Sequence, residues 1–170
     1  VEFVDIAGLV AGASKGEGLG NKFLANIRET DGIVNMVRCF SDDNVVHVAG
    51  KVDPISDIEV IQTELALADL ATVEKAIQRE SKVAKSGNKD AIKLCALLET
   101  VQAHLDQGKP ARTLDLDKEQ KHLLQPLCLL TAKPAIYVAN VDDHGSVNNP
   151  LLTRVQEYDA QEGAPVVAIC

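Results

Sequence analysis

Two short runs place polar side chains where apolar segments end. The first is Asp5-Ile6-Ala7-Gly8, closing the apolar run that begins at Val1. In α/β folds ligands sit at the carboxyl ends of parallel strands. A carboxylate there can hold the waters of a Mg²⁺ ion. A glycine three residues on lets a backbone N–H approach a γ-phosphate with no Cβ in the way. As a bare pattern, D-x-x-G equally describes a strand end with an Asp turn. The segment Gly12-Ala13-Ser14-Lys15-Gly16-Glu17-Gly18 follows it. A glycine-rich loop of this kind suits a segment that orders around a phosphate and relaxes when it leaves, and also suits a plain connection.

The second run is Asn140-Val141-Asp142-Asp143, after the apolar stretch Ala135 to Ala139. An Asn amide with a carboxylate three residues on can read the edge of a purine. An Asp accepts a pair of hydrogen bonds from guanine N1–H and its amino group. On their own, Asn and Asp after a strand are ordinary turn formers.

The elements that must position these groups follow from the periodicity. Apolar runs at Val1–Ile6, Ile33–Phe40, Ala135–Ala139 and Ala164–Ile169 predict strands, the first of them buried; Val45–Val48 is a short strand or a loop. Leu19, Phe23 and Ile27 at four-residue spacing predict a helix after the glycine-rich loop, ended by Asp31-Gly32. Asp57 is expected to cap a long helix reaching about Lys85, with Ala66, Leu70, Val73, Ile77 and Ala84 as its apolar stripe. Ser86-Gly87-Asn88 breaks the chain, and Leu94, Leu98, Val101 and Leu105 line a second helix, ended by Gly108-Lys109-Pro110. Two such helices joined by a tight turn make an antiparallel hairpin. Asp117 with Gln120 reads as a capping box for a third helix, which Pro126 kinks or shortens. Asn148-Asn149-Pro150 opens a helix that ends before Gly163. Strands alternating with helices predict an α/β fold with a parallel sheet, interrupted by the hairpin as an insertion.

Composition sets the outer limits. Of 170 residues, 46% are hydrophobic and 25% charged, which suits a packed domain. No run of about 18 apolar residues occurs, so no helical membrane span is expected. A net charge of -8 argues against a surface that binds nucleic acid throughout. One stretch departs from that balance: Lys75, Arg79, Lys82, Lys85, Lys89 and Lys93 stand against Glu80 and Asp90, around the hairpin tip. Such a cluster suits phosphate contacts, and lysine is also ordinary on a solvated coiled-coil tip. The four cysteines, Cys39, Cys95, Cys128 and Cys170, lack metal spacing and read as reduced thiols of a cytoplasmic protein. The chain opens within a strand-like run, closes on Ala168-Ile169-Cys170, and has Met36 as its only methionine, so it reads as a fragment of a longer protein.

The run Phe3-Val4-Asp5-Ile6-Ala7-Gly8-Leu9-Val10, continued by Gly12-Ala13-Ser14-Lys15-Gly16-Glu17-Gly18-Leu19-Gly20-Asn21-Lys22-Phe23-Leu24, closely resembles the YchF family of Obg-like ATPases, translation-factor-class P-loop NTPases. The resemblance continues through Val46-His47-Val48-Ala49-Gly50-Lys51-Val52-Asp53-Pro54, Tyr137-Val138-Ala139-Asn140-Val141 and Asn148-Asn149-Pro150. It implies a partial G domain over 1–57 and 115–170, with an inserted α-helical hairpin, a coiled coil, over 58–114. It also implies that the P-loop and the TGS domain are absent from this chain, so that the chain alone binds and hydrolyses nucleotide poorly. For the full-length protein it implies a ribosome-associated enzyme hydrolysing ATP or GTP with Mg²⁺. The large ribosomal subunit is the implied partner, with ribosomal RNA at the basic tip.

Site roles carried over by the resemblance are Asp5 toward a magnesium water, Gly8 toward the γ-phosphate, and Asn140, Val141 and Asp143 toward the base. Leu9 occupies the place where many GTPases keep a water-orienting glutamine, and the family gives that role to a histidine matching His47. On the residues alone, His47 reads more readily as a surface or partly buried loop histidine. The family usually reads N-x-x-E; here Asp143 replaces the glutamate, while Val141 stands where guanine-specific GTPases keep a lysine. Acceptance of ATP with weaker discrimination against GTP is the expectation. The alternatives are a nucleotide-dependent ribosome- or RNA-binding switch with little hydrolysis, and an interaction fragment with no nucleotide function.

Overall fold

The structure is a computed structural model, and it describes residues 1–5, 20–41, 52–142 and 148–170. Five α-helices and three strands occur among these residues: α1 (Gly20–Arg28), β1 (Ile33–Arg38), α2 (Pro54–Ala84), α3 (Lys89–Asp106), α4 (Lys118–Leu124), β2 (Ala135–Asn140), α5 (Pro150–Glu162) and β3 (Val166–Ile169). The chain divides into two compact units. One comprises residues 1–30 and 61–133, the other residues 31–60 and 134–170.

The second unit carries the sheet. Its strands run in the order β1-β2-β3, and both pairings are parallel. Period-two alternation buries Ala135, Tyr137 and Ala139 of β2, and Tyr137 and Ala139 join Val37, Cys39, Ile58, Val141, Leu152, Val155 and Ala164 in one core. Helix α5 and the first turns of α2 therefore cover one face of the sheet. On the other face Val34, Met36, Ile136 and Val167 are exposed. Asn149 opens α5: its Oδ1 accepts the N–H groups of Leu151 at 2.9 Å and Leu152 at 3.1 Å. Pro150 sits at the first helical position, where a missing N–H costs nothing.

The first unit is built on the hairpin. Val73, Leu98, Val101 and Leu105 are at most 2% exposed and form its seam, with Leu70, Ile77 and Leu94 packed against it. Gly87 has φ of 83°, which turns the chain between the helices. Asn88 then caps α3 by accepting the Asp90 and Ala91 N–H groups, both at 3.0 Å. The capping box of Asp117 and Gln120 is formed at α4. That helix stops at Leu124, and Pro126 falls in the 3-10 turn Gln125–Leu127 that follows. Leu123, Leu124, Leu127 and Leu129 pack on the hairpin's core, so residues from 115 to 133 cluster with the hairpin instead of with the sheet. The compact units thus differ from a division at 57/58 and 114/115.

Three expectations are corrected. Val1–Asp5 is not a buried strand: all five residues are exposed, Val1, Phe3 and Val4 strongly so, and none joins a ladder. A strand needs a paired neighbour to be stable, and none of the three described strands pairs with this run. Asp57 does not cap α2, because the helix starts at Pro54. Proline fixes φ for a first helical turn, and Asp53 stands before it, its carbonyl accepting the Asp57 N–H at 3.1 Å. The strand expected at Ile33–Phe40 ends at Arg38. Val45–Val48 lies outside the described residues.

Candidate functional site

The carboxyl end of β2 is the centre of the sheet's upper edge. Arg38 of β1, Asn140 of β2 and Ile169 of β3 lie side by side in register. Beyond them the ladder closes with two backbone bonds. The Cys39 N–H donates to the Asn140 carbonyl at 2.7 Å, and the Val141 N–H donates to the Ile169 carbonyl at 2.8 Å. Asn140 is half-buried and lies on the face opposite the α5 core, as the alternation along β2 requires. Val141 is 5% exposed and packs in the sheet's core. The position where guanine-specific enzymes keep a lysine thus holds a side chain that offers no polar group at this edge.

Two further residues, Arg38 and Asn149, shape the edge, and the sequence assigned neither of them to it. Arg38 donates from Nε to the Phe40 carbonyl at 3.1 Å, and its guanidinium lies 4.6 Å from the centre of the Phe40 ring. Asn149 donates from Nδ2 to the Cys39 carbonyl at 2.8 Å, tying the start of α5 to the end of β1. Below it, Arg154 of α5 pairs with Asp53 at 3.2 Å. Asn149 was visible in the sequence as a helix opener, but its partner lies 110 residues away.

The remaining candidates fall elsewhere. Asp5 is exposed and belongs to the other compact unit. Gly8, His47 and Asp143 lie outside the described residues. Among the described residues no group of three or more His, Cys, Asp or Glu could hold a metal ion. Asp5 belongs to no such group among the described residues, and its carboxylate is a donor type that could hold a Mg²⁺ ion through water. Lys75, Arg79 and Lys82 on α2, Lys85 in the turn, and Lys89 and Lys93 on α3 are all exposed. Of these, Arg79 pairs with Glu80 at 2.8 Å. Among the described residues no helix is long and apolar enough to cross a membrane.

The first unit holds a polar centre that the sequence reading missed. Asp69 is 0% exposed and accepts three hydrogen bonds from Leu130 and Thr131. Nearby, Arg28 of α1 donates to the Thr72 hydroxyl at 3.2 Å and to the Cys128 carbonyl at 3.3 Å. Lys133 donates to the Arg28 carbonyl at 3.1 Å and to the Thr30 carbonyl, closing the last turn of α1. These groups satisfy one another and leave no open ligand position, so they read as structural.

No protein-family model matches the chain. It is 58% identical over all 170 residues to a ribosome-binding ATPase YchF of Haemophilus ducreyi, of which it covers 47%. It is 56% identical over 170 residues to the protein of that name from Escherichia coli O157:H7, and 51% identical over 172 residues to that from Bacillus subtilis. Each is covered to 47% by almost the whole of this chain. Among solved structures, a YchF GTPase of Schizosaccharomyces pombe superposes with a TM-score of 0.79 at 32% identity, over 93% of this chain and 44% of that one. The chain spans about half the length of the curated relatives it matches. By sequence along its whole length and by fold, the chain is a homologue of the YchF proteins, with the α/β architecture of a partial G domain.

Proposed function

We propose that this chain is the base-reading and hairpin-bearing part of a ribosome-associated nucleoside-triphosphatase of the YchF type, acting in the cytoplasm. One observation carries the reading: Asn140 stands at the carboxyl end of the central described strand of a parallel sheet, in a chain 58% identical to a ribosome-binding ATPase. That edge is where α/β folds bind ligands. The G-domain part is 1–57 with 115–170, and the inserted hairpin is 58–114.

In this reading Asn140 and Asp143 contact the base, and Val141 holds the strand end in the core. The Gly8 N–H faces the γ-phosphate. His47 orients the attacking water, a role the two ring nitrogens of an imidazole suit. Asp5 would hold Mg²⁺ through water, and the ion, when bound, would neutralise phosphate charge. ATP is the preferred substrate, with GTP discriminated less strongly because Asp143 stands in place of a glutamate. The basic tip contacts ribosomal RNA phosphates of the large subunit.

The test is turnover by the full-length protein, with ribosomes, on ATP and on GTP. Replacing His47 by Ala is expected to lower turnover by about a hundredfold while nucleotide binding persists. Unaltered turnover removes His47 from the mechanism. Leu9, unable to orient water, favours a second reading in which the protein is a nucleotide-dependent ribosome-binding switch with little hydrolysis. Ribosome binding that follows nucleotide state, without turnover above background, supports that reading. Clear selectivity for GTP in titrations sinks the ATP preference.

A further inference from the structure

Asn149 does two things at once, and only one of them is capping. Its Oδ1 accepts two N–H groups at the start of α5. For that purpose Ser, Thr or Asp serves as well. Its Nδ2 donates to the Cys39 carbonyl at 2.8 Å. Asp, Ser and Thr have no amide donor to set beside that acceptor. The donor half of the side chain is therefore the half that capping leaves unexplained.

The bond lands on a critical peptide. Cys39 is 0% exposed, so its carbonyl has no water to turn to if Asn149 is lost. The same residue's N–H holds the Asn140 carbonyl at 2.7 Å. Cys39 is thus gripped on one side by Asn149 and grips Asn140 on the other. On its far side, the chain at Asn140 is fixed by the bond from the Val141 N–H to Ile169. On the β1 side, Asn140 is held by its pairing with Arg38 and, where the strand ends, by the Cys39 N–H, and Asn149 anchors Cys39. The preceding residue, Asn148, has φ of 56°, and Pro150 follows, so the backbone that aims the Asn149 side chain is itself constrained.

We propose that Asn149 is a positioning residue for recognition of the nucleotide base: through the Cys39 carbonyl it fixes the strand end that carries Asn140. This rests on the reading that Asn140 contacts the base. Hydrogen bonds to a base edge demand placement to a fraction of an ångström, and a strand end held from one side only is looser than that. Asn149 itself does not touch the base. Its effect is on affinity for nucleotides that present a base, not on the grip on phosphates.

The experiment uses the full-length protein and three probes: ATP, GTP and inorganic tripolyphosphate, with binding followed by calorimetry. Asn149→Ser keeps a capping oxygen and removes the amide donor; Asn149→Asp does the same with a stronger cap. Asn140→Ala is the reference. The expected result for both Asn149 variants is ATP binding weakened about tenfold, tripolyphosphate binding unchanged, and a thermal midpoint lowered by about 2–4 °C from the one buried carbonyl left without its donor. Faster amide exchange at Cys39 accompanies it. Unchanged ATP affinity in the Asn149 variants, with a loss in Asn140→Ala, overturns this proposal and leaves the base-reading role of Asn140 standing. Equal weakening of ATP and tripolyphosphate overturns it too, since that is general loosening. Unchanged ATP affinity in Asn140→Ala removes the base contact itself and the proposal with it.

Discussion

One carboxylate oxygen of Asp69 accepts both hydrogen bonds that Thr131 can donate, from its N–H at 2.8 Å and from its hydroxyl at 2.6 Å. The other oxygen takes the Leu130 N–H at 2.8 Å, and the Thr131 hydroxyl oxygen in turn accepts the Ala111 N–H at 3.1 Å. One buried carboxylate on α2 thereby organises two turns that lie far along the chain. Asp69→Asn presents an NH₂ group to donors that need an acceptor. A loss of about 2–4 kcal/mol is expected from urea unfolding. Thr131→Val is expected to cost about 1–3 kcal/mol.

The same carboxyl makes stability depend on pH. Burial raises its pKa above 3.8, outweighing the Thr131 hydroxyl, the Thr131 and Leu130 N–H groups and the Arg28 charge, which all lower it. A raised carboxyl binds its proton more tightly folded than unfolded. Its linkage contribution is complete below 3.8 and is lost as pH rises through the folded value. Unfolding measured across the acid range should therefore show this slope in the parent and lose it in Asp69→Asn. An identical slope in both would contradict the assignment to Asp69.

Burial pushes the Cys39 thiol from 9.0 up to about 11. The thiolate is the reactive form, so Cys39 is inert at neutral pH, whereas Cys128 and Cys170 are exposed. Iodoacetamide at pH 8 should label Cys128 and Cys170 first and Cys39 only in denaturant. The stability tied to this thiol is present below 9.0 and is lost as pH rises through about 11. Labelling of Cys39 in the folded protein would show that the end of β1 opens.

What could be read from the sequence was local, and what could not was distant. Gly87 with Asn88, Asp117 with Gln120, and Pro126 each act within a few residues, and each marks its boundary where the sequence says it should. Asp57 misled because Asp53-Pro54, four residues earlier, is an equally good start and proline decides between them. Val1–Asp5 misled because apolar patterning names a strand but not its partner. At the site, Asn140 and Val141 were legible as a strand end. The bond from Asn149 to Cys39 was not, and neither was that from Asp69 to Thr131, because they span 110 and 62 residues.

The hairpin turn gives a clean measure of backbone strain. A Cβ added at Gly87 would meet nothing within 4 Å, so Gly87→Ala tests only the cost of holding φ at 83°. About 1–2 kcal/mol is expected, with Gly87→Asn losing less because asparagine tolerates this region. Asn88→Ala removes the cap of α3 and should cost about 1 kcal/mol. Urea unfolding of each variant checks these values, and a Gly87→Ala loss several times larger would contradict backbone strain as its sole cause.

The tip also supplies the prediction that separates a phosphate-binding surface from a merely solvated one. Lys75, Arg79 and Lys82 recur at helical spacing on α2, and Lys89 and Lys93 lie one turn apart on α3. The Arg79–Glu80 pair is exposed on the arginine side, and a surface pair of this kind costs little to break in favour of a phosphate. Reversing Lys75, Arg79 and Lys82 to Glu in the full-length protein should weaken ribosome association, measured by co-sedimentation between about 50 and 200 mM salt. For every phosphate that these cations no longer neutralise, the slope of log affinity against log salt should flatten by about 0.7–0.9. Reversing Lys89 and Lys93 instead shows whether both helices take part. Turnover of the full-length protein without ribosomes should stay at the parent value in both variants, since none of these residues belongs to the proposed nucleotide site. Weaker binding with an unchanged salt slope would mean that the substitutions disturb the hairpin and not its grip on phosphate; unchanged binding would leave the lysines as ordinary solvated charge.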